Sequence, residues 1–337
     1  MEAFLFMKFT KPATNIDFQI NQLKSRGLII NDEAYAKKVL SDISYYRLAG
    51  YWWPFQSDKI NHKFKPNSHF ETVVKLYRFD SELRKMIFDL IEEFEISFRT
   101  KMIYHLAHEL TPWWFENSVN FVNATEHIES MKTINKDLRL NRKKEVFLLE
   151  HYNKYTTDTR CPPAWKTLEI LSLGALSKLY GNLTTKCKAK DLIAAEFGTV
   201  NHTYFHSWVQ DISQIRNICA HHGRIWNKTL PGRPKMLSKP PYPWLKATPP
   251  LIEHGDLYIH LCCMKYIVNI ISPNNNYTFR LYVLLKRYPN VDLKALGIPK
   301  NWFKEELWKN KMVVKNPIFT FYHKVRFIVG NVVNGRY

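Results

Sequence analysis

The run Arg216-Asn217-Ile218-Cys219-Ala220-His221-His222-Gly223 gathers a guanidinium, an amide and two imidazoles in one short stretch. These groups suffice for one metal-free reaction. A histidine titrates near neutrality and can give or take a proton. An arginine can clamp a phosphate with two parallel hydrogen bonds and stabilise the charge that develops on it. In RNA, deprotonation of the 2′-hydroxyl lets it attack the adjacent phosphate. An arginine then holds the phosphorane, and a histidine protonates the leaving 5′-oxygen. The product is a 2′,3′-cyclic phosphate, and DNA, lacking the hydroxyl, survives.

The bare spacing is weak as a signal. With 15 Arg and 13 His in 337 residues, an Arg followed five positions later by a His is expected about 0.6 times by chance. Context strengthens it, since the set closes an amphipathic helix, with Asn217 beside Arg216 and His222 beside His221. At about 100° per residue, Asn217 and His221 share a helical face one turn apart, and Arg216 is turned about 140° away from His221. Arg216 must therefore reach around the helix or meet a second copy. Two imidazoles in a last turn also suit the negative end of the helix dipole. A structural reading stays open: the histidines cap the helix, and Arg216 pairs with Glu95 or another acid. No acidic cluster accompanies the motif to hold Mg²⁺, and neither a P-loop nor G-x-G-x-x-G occurs. His202, His206 and His221 lack partner cysteines at zinc spacing, so no metal and no cofactor is expected. Cys219 falls in an apolar stripe, which favours packing over nucleophilic chemistry.

The elements that must position these groups are helical almost throughout. Asn15 or Asp17 caps a first helix that Gly27 ends, and a second starts near Asp32. The aromatic segment 44–55, SYYRLAGYWWPF, reads either as packing or as a base-stacking platform. Leu83, Ile87, Leu90, Phe94 and Phe98 predict one buried stripe on a long helix over 69–109, with Glu95 and Arg99 able to pair on its flank. Further helices are expected over 125–154, 165–183, 188–197, 203–222, 253–271, 277–288 and 301–309, with Gly223 as the stop after the motif. Strand signals are few. The expected fold is all-α, divided as an N-terminal helical and aromatic segment (1–60), a helical core with the motif (65–271) and a basic C-terminal extension (272–337). Residues 317–337 fit no element.

Formal net charge is +19, and it is unevenly placed. Residues 1–159 hold 23 basic and 21 acidic side chains, whereas 160–337 hold 26 and 9. A half that basic suits a polyanion and predicts salt-sensitive contacts. Arg139, Arg142, Lys143 and Lys144 form one basic run, and Arg224, Arg233, Lys235, Lys239 and Lys246 follow the motif; either set is an RNA-contact candidate or a solvated face. No apolar run is long enough to span a membrane, and the apolar part of residues 1–18 is too short for a secretory signal. Five cysteines without a C-x-x-C pair point to a reducing, cytoplasmic setting.

Several blocks in the same order resemble the Abi-like proteins of bacterial abortive infection, the AbiD/AbiF type of the HEPN superfamily. The resemblance covers most of residues 11–230: KPATNIDFQINQLKSRGLII, ISYYRLAGYWWPF, FDSELRKMIFDLIEEFEISFRT, PPAWKTLEILSLGALSKLYGNL and SWVQDISQIRNICAHHGRIWN. The family's R-N-x-x-A-H signature is matched by Arg216, Asn217, Ala220 and His221, and its E-x-x-x-R element by Glu95 and Arg99. The resemblance implies a HEPN helical bundle with added N- and C-terminal helices. It implies a homodimer that pairs two motifs into a composite ribonuclease site, serving as a toxin in antiviral defence. It assigns Arg216, Asn217, His221 and His222 to catalysis and Glu95 and Arg99 to support. Some members act with a small structured non-coding RNA. A non-catalytic RNA-binding regulator using the same basic surface is the alternative.

Overall fold

In the computed structural model, Asn15 opens the first helix by accepting the Phe18 N–H on Oδ1 at 2.8 Å. Residues 12–238, 240–246 and 257–309 are described. The chain divides into two compact units, Met1–Ser81 and Glu82–Tyr337. In the first, α1 (Ile16–Ser25) ends at Gly27, whose φ of +92° suits a residue without Cβ. Asp32 caps α2 (Glu33–Ile43), and Ser44 both ends α2 and caps α3 (Tyr45–Trp52). A short antiparallel hairpin follows, β1 (Gln56–Asp58) with β2 (Lys63–Phe64). The aromatic segment splits in two. Tyr51 and Trp52 are buried, with the Tyr51 hydroxyl donating to Asp80 at 2.6 Å, whereas Tyr46 is 90% exposed.

Helix α4 (Phe70–Glu109) begins in the first unit and runs on through the second. Its expected stripe, Leu83, Ile87, Leu90, Phe94 and Phe98, is fully buried and continues through Met102 and Leu106. The span expected as one helix over 125–154 is instead two, α5 (Ala124–Asn141) and α6 (Val146–Lys154). The break falls on Arg142-Lys143-Lys144-Glu145, where three like charges in succession favour a solvated turn. The span 165–183 is likewise interrupted. Helix α7 (Ala164–Thr167) passes into a 3₁₀ turn, Leu168–Ile170, and Ser172 caps α8 (Leu173–Asn182) through the Ala175 N–H. After α9 (Lys188–Glu196) come α10 (His202–Ala220), α11 (Leu257–Ile271) and α12 (Tyr277–Arg287). The helix expected at 301–309 is two 3₁₀ turns, Trp302–Lys304 and Glu306–Trp308. With twelve α-helices and one small hairpin among the described residues, the fold is all-α. The tail 317–337 and Lys239 lie outside the described residues.

Five rings fasten the helix carrying the motif. Phe94 and Phe98 of α4 meet Tyr180 of α8, Phe197 and Phe205 of α10, with Phe197 and Phe205 stacked at 4.7 Å and Phe98 at 5.5 Å from both Tyr180 and Phe205. Each such pair adds about 1 kcal/mol beyond the area it buries. Helix α8 meets the polar face of α10 through two glycines a heptad apart. A Cβ on Gly181 would lie 2.2 Å from His206 Nε2, whereas one on Gly174 would rest 3.4 Å from Ser213 Oγ. Gly181→Ala should therefore cost about 1–3 kcal/mol by overpacking. Gly174→Ala should be neutral or gain up to about 1 kcal/mol of helix propensity. Thermal unfolding of the two variants checks this contrast, and equal melting temperatures would contradict the packing described.

Candidate active site

Helix α10 presents the motif at its C-terminal end. Asn201 starts the helix by accepting the Thr203 and Tyr204 N–H groups at 2.9 and 3.3 Å. Phe205, Trp208, Val209, Ile212, Ile215 and Cys219 form its buried stripe, so Cys219 is a core residue. Helical spacing puts His206, Ser213, Asn217 and His221 on the opposite, polar face. The near part of that face is covered: burial, and then the nearby Lys190, push the His206 imidazole below its ordinary value. The far part emerges, leaving Asn217 and His221 exposed.

The helix stops one residue earlier than Gly223 would dictate. His221 is the cap, and His222 takes the left-handed conformation at φ +56°. The His222 N–H donates to the Cys219 carbonyl at 3.0 Å and the Gly223 N–H to the Ile218 carbonyl at 2.8 Å, the paired bonds of a Schellman ending. Glycine usually takes the left-handed place; here it sits one position later, packed where a Cβ would come within 3.1 Å of Ile218. A side chain at positive φ costs on the order of 1 kcal/mol, and such strain collects at functional sites.

Behind the motif, one carboxylate faces two guanidinium groups. Glu95 Oε1 accepts from Arg99 Nη2 at 2.9 Å, and Arg216 Nε lies 3.9 Å from Glu95 Oε2. Arg99 Nη2 also donates to the Leu171 carbonyl at 3.0 Å, and its Nη1 lies 3.9 Å from Glu169. That carbonyl is available because the chain leaves helix between Ile170 and Ser172. The Arg216 guanidinium also lies over Phe88, 5.9 Å from the ring centre. Donors exceed acceptors here: the Nε groups of Arg99 and Arg216 are buried with no hydrogen-bond partner among the described residues. Arg99 thus makes the bonds that brace the helices. Arg216, 31% exposed, is held by the Glu95 charge and the Phe88 ring, and the exposed part of its guanidinium can meet an anion.

The structure brings Glu95, Arg99 and Arg216 together and places Asn217, His221 and His222 at one helix end. The other predicted basic residues lie elsewhere. Arg224 is half-buried and donates to the Asn227 carbonyl at 3.1 Å. Arg233 and Lys235 are exposed on the loop after the motif, which Lys235 pins to α10 through Ser207 Oγ and Trp208 Nε1. Arg139, Arg142, Lys143 and Lys144 stand at the α5–α6 turn, with no hydrogen bond or ion pair to the motif among the described residues. Three contributors were missed in the sequence: the Leu171 carbonyl, Glu169 and the Phe88 ring. Only the Ser172 cap signals where the helix breaks to expose that carbonyl.

A family model described as Abi-like protein matches residues 38–227, more than half of the chain. The chain belongs to the Abi-like protein family. The match includes Glu95, Arg99 and the whole motif to Gly223. The family takes its name from abortive infection, a bacterial defence against phage. Comparison with curated proteins and with solved structures gave no match. Among the described residues no helix is long and apolar enough to cross a membrane.

The strained His222 yields a direct test. His222→Gly should stabilise the protein by about 1 kcal/mol, and the β-branched His222→Val should destabilise it, because only glycine adopts positive φ freely. Calorimetric melting of both variants reads the sign, and a lower melting temperature for the glycine variant would contradict the assigned ending.

Proposed function

We propose that this protein is a metal-independent RNA endonuclease of the HEPN type, acting in abortive infection and held in check until phage enters. The observation that carries the reading is Arg216, 31% exposed and only 3.9 Å from its carboxylate neighbour Glu95, near the end of a helix that also exposes an amide and two imidazoles. A phosphodiester offers acceptors to the exposed part of that guanidinium. Arg216 binds the scissile phosphate and stabilises the phosphorane charge. His221 moves the proton between the 2′-hydroxyl and the leaving 5′-oxygen. Asn217, one turn back on the same face, orients the phosphate or the imidazole, and His222 is the second proton-transfer candidate. Glu95 and Arg99 are positioning residues that hold Arg216 from behind.

The angle between Arg216 and His221 supports a homodimer. In an ideal helix the two are about 140° apart, so one copy's arginine and the other's histidine can face a shared phosphate more readily than a single copy's pair. The 2′,3′-cyclic product follows from attack by the neighbouring hydroxyl. A bound small RNA as regulator fits the basic charge of residues 160–337, which hold 26 basic and 9 acidic side chains.

The test uses labelled RNA and DNA in EDTA. Wild type is expected to cut RNA only, leaving ends that resist phosphatase until the cyclic phosphate is opened. His221→Ala should lose about 10²–10⁴-fold in rate with its melting temperature kept. Arg216→Lys, which keeps charge but loses the two-pronged grip, should lose about tenfold or more. Full activity in His221→Ala would sink the role assigned to it. Tight, salt-sensitive RNA binding without scission by wild type would replace the nuclease with a regulator.

A further inference from the structure

The turn between α5 and α6 gathers four basic residues within six positions. Arg139, Arg142, Lys143 and Lys144 are all exposed, and none joins an ion pair among the described residues. Some exposed lysines do find carboxylates: Lys37 meets Asp17 at 2.6 Å, and Lys132 meets Glu129 at 2.6 Å. The acids nearest in sequence, Asp137 and Glu145, pair with none of the four among the described residues. Four cations in six residues, none with a carboxylate partner among the described residues, repel one another, a cost that an external polyanion removes.

Aromatic rings accompany these cations. The Arg142 guanidinium lies 4.2 Å from the centre of the Tyr152 ring, and Arg160 lies 3.6 Å from that of Trp113. Cys161 ties Trp113 to α5: its carbonyl accepts from Trp113 Nε1 at 2.9 Å, and its thiol donates to Asn135 Oδ1 at 3.7 Å. Tyr155 is 46% exposed beside Lys154, and Trp165 on α7 is 49% exposed. Arg160 is paired with Asp158 at 2.8 Å, so the free charge of the strip lies at the turn, while the exposed Tyr155 and Trp165 rings offer stacking plates beside it. A single-stranded nucleic acid offers both partners, bases and phosphates. A duplex hides its bases, an acidic protein brings carboxylates without bases, and an anionic lipid surface asks for an amphipathic apolar face.

We propose that the surface from Arg139 through the α6 rings to Trp165 is a docking strip for single-stranded RNA, separate from the motif. The choice of RNA over DNA rests on the nuclease reading above. The chain connects the strip to the motif's support: α7, which carries Trp165, runs into the turn that ends at Leu171, whose carbonyl holds Arg99. A strand bound along α6 and α7 is thereby led toward the segment of α4 that Arg99 braces.

The experiment measures binding of the full chain, in the His221→Ala background and EDTA, to a fluorescent uridine-rich strand of roughly 12 nucleotides. Arg142→Ala with Lys143→Ala and Lys144→Ala should weaken binding about tenfold or more and lower the slope of log Kd against log salt by about 2. Tyr155→Ala with Trp165→Ala should also weaken RNA binding about tenfold. That pair should leave the salt slope and the affinity for inorganic polyphosphate unchanged. Lys143→Glu with Lys144→Glu, at two exposed turn positions, repeats the first arm should the triple variant unfold. Parent-like binding by either set, equal affinity for duplex, or no binding by the parent would overturn the strip. The two proposals fail separately. Strip-dependent binding without cleavage by wild type retires the nuclease and keeps the strip, whereas cleavage and binding that ignore both variant sets do the reverse.

Discussion

Phe94 and Phe98 on α4 lie against Phe197, Tyr180 and Phe205, and the geometry of the motif depends on this contact. The rings are essentially inaccessible to water, so the helices they join cannot slide without exposing several large apolar faces at once. Glu95 and Arg99 flank Phe94 and Phe98 in sequence, and Phe205 belongs to the helix that ends in the motif. Registering those rings therefore sets how far Glu95 stands from Arg216. The glycines of α8 complete the fit on the other face of α10, where Gly181 leaves room for the His206 ring.

Within that frame the charges divide the work. A partly buried carboxylate cannot fully satisfy two guanidinium groups, and here it hydrogen-bonds only Arg99, at 2.9 Å, while Arg216 stays at 3.9 Å. Arg99 gains a second acceptor in the Leu171 carbonyl and becomes structural. Arg216 keeps a buried N–H without a partner, a deficit typically worth about 1–3 kcal/mol. A protein selected only for stability would close that bond. The exposed third of the Arg216 side chain is the part free to meet a ligand.

Much of this was legible in the residues. The stripe of α4, the Asn15 and Asp32 caps, the four-residue spacing of Glu95 and Arg99, and the shared face of Asn217 and His221 all follow from helical periodicity, a local property. What escaped depends on contacts far apart in sequence or on backbone choices without a strong residue signal. The Leu171 carbonyl meets Arg99 across 72 positions, and no side-chain pattern marks a carbonyl as an acceptor. Gly223 looked like the stop because glycine adopts positive φ most cheaply, yet Ile218 packs against it, and the left-handed turn falls on His222. The helices broke at 142–145 and 168–172 because solvation of a basic turn and the Ser172 cap outweighed a continuous helical pattern.

The placement of His222 ties strain to exposure. Ending the helix at Ala220 puts one imidazole at the cap and the next in the left-handed place, so successive side chains leave the helix axis in different directions. Had Gly223 taken that place, His222 would have continued the helical winding, turned about 100° from His221. The left-handed turn at His222 costs about 1 kcal/mol, and both imidazoles stay exposed at the helix end. The five-ring core outweighs that cost easily, since a single one of its ring pairs is of the same size. Local strain at the site is sustained because the helix bearing it is fixed elsewhere.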